Sequence, residues 1–136
     1  MDTAANRQKW VDALRSGEYT QAKSYLTKLD MDGGIAGHCC LGVACQLYAQ
    51  EHPEFPVLPQ QDERFIEYGT DGRTGHLPTE VQAWLGLNDD AGLLAEELVT
   101  GLGIVAGSLT ALNDTASYTF EQIAEVIEQD RLRLEG

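Results

Sequence analysis

The chain has 136 residues, 43% hydrophobic and 23% charged, enough to bury a core without disulfides or a structural metal and too apolar for wholesale disorder. Nine Lys and Arg stand against 22 Asp and Glu, a formal net charge of −13. A surface of that sign repels nucleic-acid phosphates and anionic membranes, so neither is expected as a direct partner.

The charge is unevenly spread. Residues 1–28 hold five basic and three acidic side chains, whereas the rest of the chain holds four basic and 19 acidic ones. Between Arg73 and Arg131 there is no Lys or Arg. The first nine residues show no apolar signal core, and no stretch reaches the roughly 20 apolar residues of a membrane span, so a cytoplasmic location is expected. Cys39, Cys40 and Cys45 are an odd number crowded together, a poor disulfide framework, and free thiols in a reducing compartment are expected.

Taken in chain order, residues 7–16 read as an amphipathic helix with Trp10, Ala13 and Leu14 on one face and Gly17 as its stop. Alternation over 19–29 suggests a strand, residues 30–34 are turn chemistry, and 35–39 return as the second strand of a hairpin. Residues 40–50 form a nearly all-apolar helix in which Leu41, Ala44, Cys45 and Tyr48 share a face, which marks it as the central core helix. Pro53, Pro56 and Pro59 open an irregular stretch to residue 61, followed by a short strand over 64–68 and a polar loop over 70–75.

Pro78, Glu80 and the Val81, Trp84, Leu85 face predict a short helix over 77–86, closed by Gly86. Residues 90–100 are expected to be helical with Leu94 and Leu98 inward, and the glycine-rich 101–107 to be a connector. Ser108 is placed to cap a short turn through residue 112. Thr119 and Gln122 make a capping box for a last helix, with Phe120, Ile123, Ala124 and Ile127 on its apolar face and Glu121, Glu125 and Glu128 on the other. The sum is an α+β chain, mainly helical, forming a single domain over 1–136 with a small antiparallel sheet or hairpin.

Several residues invite chemical readings. Cys39 or Cys40, at the start of a helix, could be activated by the positive end of the dipole, with His76 as base and Asn113 or Asp114 orienting it, as in a cysteine-dependent hydrolase. Core packing of these thiols is the favoured alternative. Metal binding would draw on His38, Cys40 and Cys45 with His52 or His76, but the spacing lacks the paired C-x2-4-C pattern of structural zinc, and Cys40 and Cys45 diverge on a helical wheel. No metal or other cofactor is expected. Gly101, Gly103 and Gly107 lack the Lys and the spacing of a phosphate-binding loop. Asn113 and Asp114 most simply satisfy loop backbone groups, with a polar pocket floor as the functional reading. The scarce cations Arg15, Arg64 and Arg73 would have to meet any anionic ligand, with Tyr19 and Gln21 as further candidate binding residues.

Several segments together resemble a family of small uncharacterised proteins of tailed bacteriophages and some of their bacterial hosts. They are residues 9–14 with Gly17, Tyr19 and Gln21; Cys39-Cys40-Leu41-Gly42-Val43; Leu77-Pro78 with Trp84-Leu85-Gly86-Leu87; and Leu109 through Asn113-Asp114 with Phe120 and Ile123-Ala124. The likeness lies in the order of these motifs and spans most of the chain. It implies a setting in the infected bacterial cytoplasm and supplies no activity. On that likeness the expected function is a non-enzymatic binding module of host takeover or counter-defence. It would block a host protein with a basic surface or sequester a small signalling molecule. A thiol hydrolase and a purely structural accessory protein are the alternatives.

Overall fold

The Asp2 carboxylate accepts the Ala5 N–H at 3.0 Å, and this N-cap starts α1 (Thr3–Arg15) ahead of the amphipathic pattern that begins near residue 7. The computed structural model describes residues 2–135; Met1 and Gly136, the ends of the expected 1–136 domain, lie outside the described residues. The remaining elements are β1 (Thr27–Leu29), β2 (Ile35–His38), α2 (Cys40–Glu51), β3 (Val57–Gln60), β4 (Phe65–Tyr68), α3 (Thr79–Leu85), β5 (Leu93–Val99), β6 (Val105–Ser108), α4 (Leu109–Asp114) and α5 (Phe120–Glu128).

The expectation of a mainly helical chain is corrected. Helices take 35% of the residues, and among the described residues six strands form two antiparallel sheets, one of four strands in the order β2-β1-β4-β3 and one of two, β5-β6. Two misreadings account for the difference, and a third runs the other way. Residues 90–100 do not form a helix: β5 occupies 93–99 and pairs with β6 across the glycine-rich stretch. Leu94 and Leu98 do point inward, but a spacing of four satisfies the two-residue period of a strand as well as a helical turn. Residues 53–61 are not wholly irregular, because Val57–Gln60 forms an edge strand and Pro59 is tolerated there. The strand expected over 19–29 shrinks to Thr27–Leu29, since Ser24 takes a left-handed φ of 77° that breaks the extended run.

α2 sits at the centre. Cys40, Leu41, Val43, Ala44 and Cys45 are fully buried, and α1, α3 and α4 pack around them in one continuous apolar cluster. Trp10, also fully buried, donates its indole N–H to the Cys40 carbonyl at 2.8 Å, and Asn6 and Arg7 donate to the carbonyls of Trp84 and Leu85 at the end of α3. The α3 end itself turns on Gly86 at a φ of 71°. α5 carries the capping box at Thr119 and Gln122 and packs its apolar face on α1. Among the described residues no helix is long and apolar enough to cross a membrane.

Candidate functional site

Tyr19, Gln21, Asn113 and Asp114, far apart in sequence, are brought together at the N-terminal end of α2. Asn113 is fully buried at the end of α4 and uses its whole carboxamide. Its Oδ1 accepts from Gln21 Nε2 at 2.8 Å and from the Cys40 N–H at 3.3 Å, while its Nδ2 donates to the Ala22 carbonyl and to Asp114 Oδ1, both at 2.8 Å. Asp114 also accepts the Ser24 N–H, and Lys23 donates to Ser117 Oγ at 2.7 Å. These contacts tie the segment after α1 to the α4–α5 turn. With its donors and acceptors committed to protein partners, Asn113 holds the fold and has no hydrogen bond left for a ligand.

A second polar line runs deeper. Gln46 Nε2 lies 2.6 Å from the Tyr68 hydroxyl, which lies 2.8 Å from Thr27 Oγ1, which in turn lies 2.8 Å from His38 Nδ1. The Gln46 amide donates there, and every hydroxyl proton in the line has a partner when Tyr68 donates to Thr27 and Thr27 donates to His38. In that arrangement His38 is neutral with its proton on Nε2. Burial enforces the same state, lowering the His38 pKa to about 4 and pushing the Tyr68 hydroxyl up to about 12. Tyr19 packs edge-on against the imidazole.

The cysteines share this burial. Cys39 is the N-cap residue of α2, where the Gly42 and Leu41 N–H groups favour a thiolate, yet desolvation wins and pushes its pKa up to about 12. The Cys40 and Cys45 thiols are likewise raised by burial, and all three are free. His76 is exposed in the segment leading to α3, while the thiols are buried. His52 stacks on Tyr48 and bonds the carbonyl of that residue. Among the described residues no three His, Cys, Asp or Glu side chains converge on a point where a metal would sit.

The three arginines do not meet. Arg73 pairs with Asp71 and Asp90, each at 2.8 Å, and Arg64 is exposed in the turn before β4. Arg15, at the end of α1, reaches the glutamate stripe of α5 and contacts Glu121, Glu125 and Glu128. One guanidinium among three carboxylates leaves that stripe with a net charge of −2.

Beside this stripe lies an open groove of about 370 Å³, its floor made by Leu98, Tyr118 and Val126, with Glu121 and Glu125 on its rim and Arg131 lining it as well. It adjoins, through Tyr118 and Gln122, a second hollow of about 520 Å³ beneath the β5-β6 turn, where Thr100 and Leu102 contribute. Sequence reading singled out neither Tyr118 nor the hairpin. The signal that was available is the combination of Val99, Leu102 and Val105 with no charged residue anywhere between positions 98 and 113.

Residues 3–131 match the family described as a domain of unknown function, DUF8296. The chain belongs to this family. No curated protein and no solved structure matches it. The DUF8296 match runs from the first residue of α1 to Arg131, and so takes in every helix and strand, the Asn113 seam and the Tyr118 groove.

Proposed function

We propose that this DUF8296 protein is a non-enzymatic binding module whose contact surface is the groove at Tyr118, and that its partner is a protein presenting a basic segment. The likeness to proteins of tailed phages supplies the setting, host takeover or counter-defence in the cytoplasm of an infected bacterium. The observation that carries the reading is the stripe of Glu121, Glu125 and Glu128 along α5, the first two of which edge an apolar floor that Arg131 also lines. A groove of that character fits alternating Lys or Arg and apolar side chains. The chain's net charge of −13 would steer a cationic partner towards it and repel nucleic acid.

A small anionic signalling molecule is served less well. Arg15 and Arg73 are held by carboxylates, and Arg131, the one cation lining the groove, stands with Glu121 and Glu125. The buried, protonated thiols likewise offer a hydrolase no ready nucleophile.

The test is affinity capture from phage-susceptible bacteria, comparing the wild-type chain with Glu121→Gln/Glu125→Gln at low and raised salt. Retention of a basic protein by the wild type, its release by salt and its loss from the double variant support the reading. A partner held equally by both proteins, or none at all, refutes it.

A further inference from the structure

Exposed strand edges invite pairing with another chain, and folded proteins commonly blunt them. Among the described residues three of the four sheet edges are blunted. The outer edge of β3 carries Pro59, which has no N–H to offer. That of β2 is covered where residues 20–22 bond to His38 on both its N–H and its C=O. That of β5 is occupied by the C-terminal segment, with the Ala95 N–H donating to Arg131 and the Arg133 N–H donating to Leu93.

β6 is the exception. Among the described residues it pairs only with β5. The Thr100 N–H donates to the Ile104 carbonyl, so the next pair along the ladder, Val99 with Val105, is the non-hydrogen-bonded one, and the Val105 N–H and C=O point away from β5. Around this edge the side chains of Val99, Leu102 and Val105 are 67%, 88% and 57% exposed. There is no proline or lysine on β6 to protect them, and the register shift of its ladder lies on the β5 side, between Leu93 and Leu98.

We infer that the free edge of β6 pairs antiparallel with β6 of a second copy of this chain, joining the two hairpins into a four-stranded sheet about a two-fold axis. Charge selects this occupant. Two bodies of net charge −13 repel over most of their surfaces, and residues 98–113 carry no charge, with Val99, Leu102 and Val105 exposed among them. A basic strand gains nothing there. The same strand, by symmetry, matches itself in length: with the two-fold axis at Ala106, Val105 stands opposite Gly107 of the other copy. This inference is independent of the Tyr118 groove reading.

The 136-residue chain is studied by sedimentation from about 1 μM to about 1 mM, the span over which weak self-association becomes visible. A dimer is expected, and it tightens as salt rises and screens the repulsion between copies, the reverse of the salt response expected for a basic partner. Val105→Lys places a charge on the edge, and Val105→Pro removes its outward N–H; each is expected to weaken the dimer by tenfold or more while circular dichroism stays unchanged. Two folded variants guard against loss through misfolding. A wild-type chain that stays monomeric throughout, or a dimer untouched by both substitutions, overturns the inference. So does a Val105 amide that becomes protected from exchange only when another protein is added.

Discussion

A β-carbon placed on Gly42 would come within 1.7 Å of the Leu26 carbonyl oxygen and 2.5 Å of its carbonyl carbon. That approach lets the first turn of α2 lie directly on the chain entering β1, where the Leu26 carbonyl also accepts the Cys39 N–H at 3.1 Å. Glycine is required here by the neighbour's backbone, which cannot rotate aside as a side chain would.

Gly42→Ala is therefore expected to destabilise the fold by at least about 3 kcal/mol, the upper end of overpacking costs in a close-packed core. Gly107→Ala, in open space, is expected to change stability by less than about 0.5 kcal/mol. Urea melts of the two variants beside the wild type give the comparison, and equal midpoints would show that the α2–β1 approach is looser than described.

Asn113→Ala removes four hydrogen bonds at once and strands the Cys40 N–H and the Ala22 carbonyl without their partner. Buried groups left unsatisfied dominate such a loss, and about 3–5 kcal/mol is expected. Asp114→Ala keeps the Asn113 contacts to Gln21, Cys40 and Ala22, so it should cost less than half as much in the same melts. If Asp114→Ala were the worse of the two, the Asn113 carboxamide would not be the keystone of the seam.

What the sequence made legible was mostly local. The Thr119 and Gln122 capping box, the Ser108 cap and the Gly86 stop each depend on residues within one turn, and each is present. The buried face of α2 was legible because apolar residues dominate it. Periodicity failed at Leu94 and Leu98, whose spacing fits two periods, and over 19–29, where alternation gave no warning of the left-handed Ser24. At the Asn113 seam the residue type was informative, but the partners were not. Asn113 was expected to satisfy its own loop, and it bonds instead to Gln21, Ala22 and Cys40, whose proximity is a product of the tertiary fold. The Glu121, Glu125 and Glu128 stripe could be read as a helix face, whereas its clamp by Arg15 required the packing of α5 on α1.

His38 makes stability depend on pH. Its folded pKa, near 4, lies below the ordinary 6.5, so between those values the unfolded chain binds the extra proton and acidification favours unfolding. Stability from this group is fully present above about pH 6.5 and is lost as pH falls towards 4, up to about 3 kcal/mol in all. Carboxylates also titrate near the bottom of that window, so the measurement is a difference. His38→Gln retains an acceptor for Thr27 and has no titrating ring, and its urea midpoint should fall less steeply between pH 7 and pH 5 than that of the wild type. Parallel slopes would mean that His38 is solvated in solution.

The thiols provide the last test. At a pKa of about 12 against an ordinary 9.0, Cys39 carries about 1,000-fold less thiolate at neutral pH than a solvated cysteine, because each pKa unit is a factor of ten. Burial also blocks the reagent, and Cys40 and Cys45 are at least as deeply enclosed. Iodoacetamide labelling of the folded chain at neutral pH, followed site by site by mass spectrometry, is expected to be at least about 1,000-fold slower at all three positions than in urea. A single cysteine that alkylates quickly in the folded protein would identify an activated thiol. It would reopen the hydrolase reading against the binding-module reading, and would show that the α2 N-terminus outweighs desolvation at that residue.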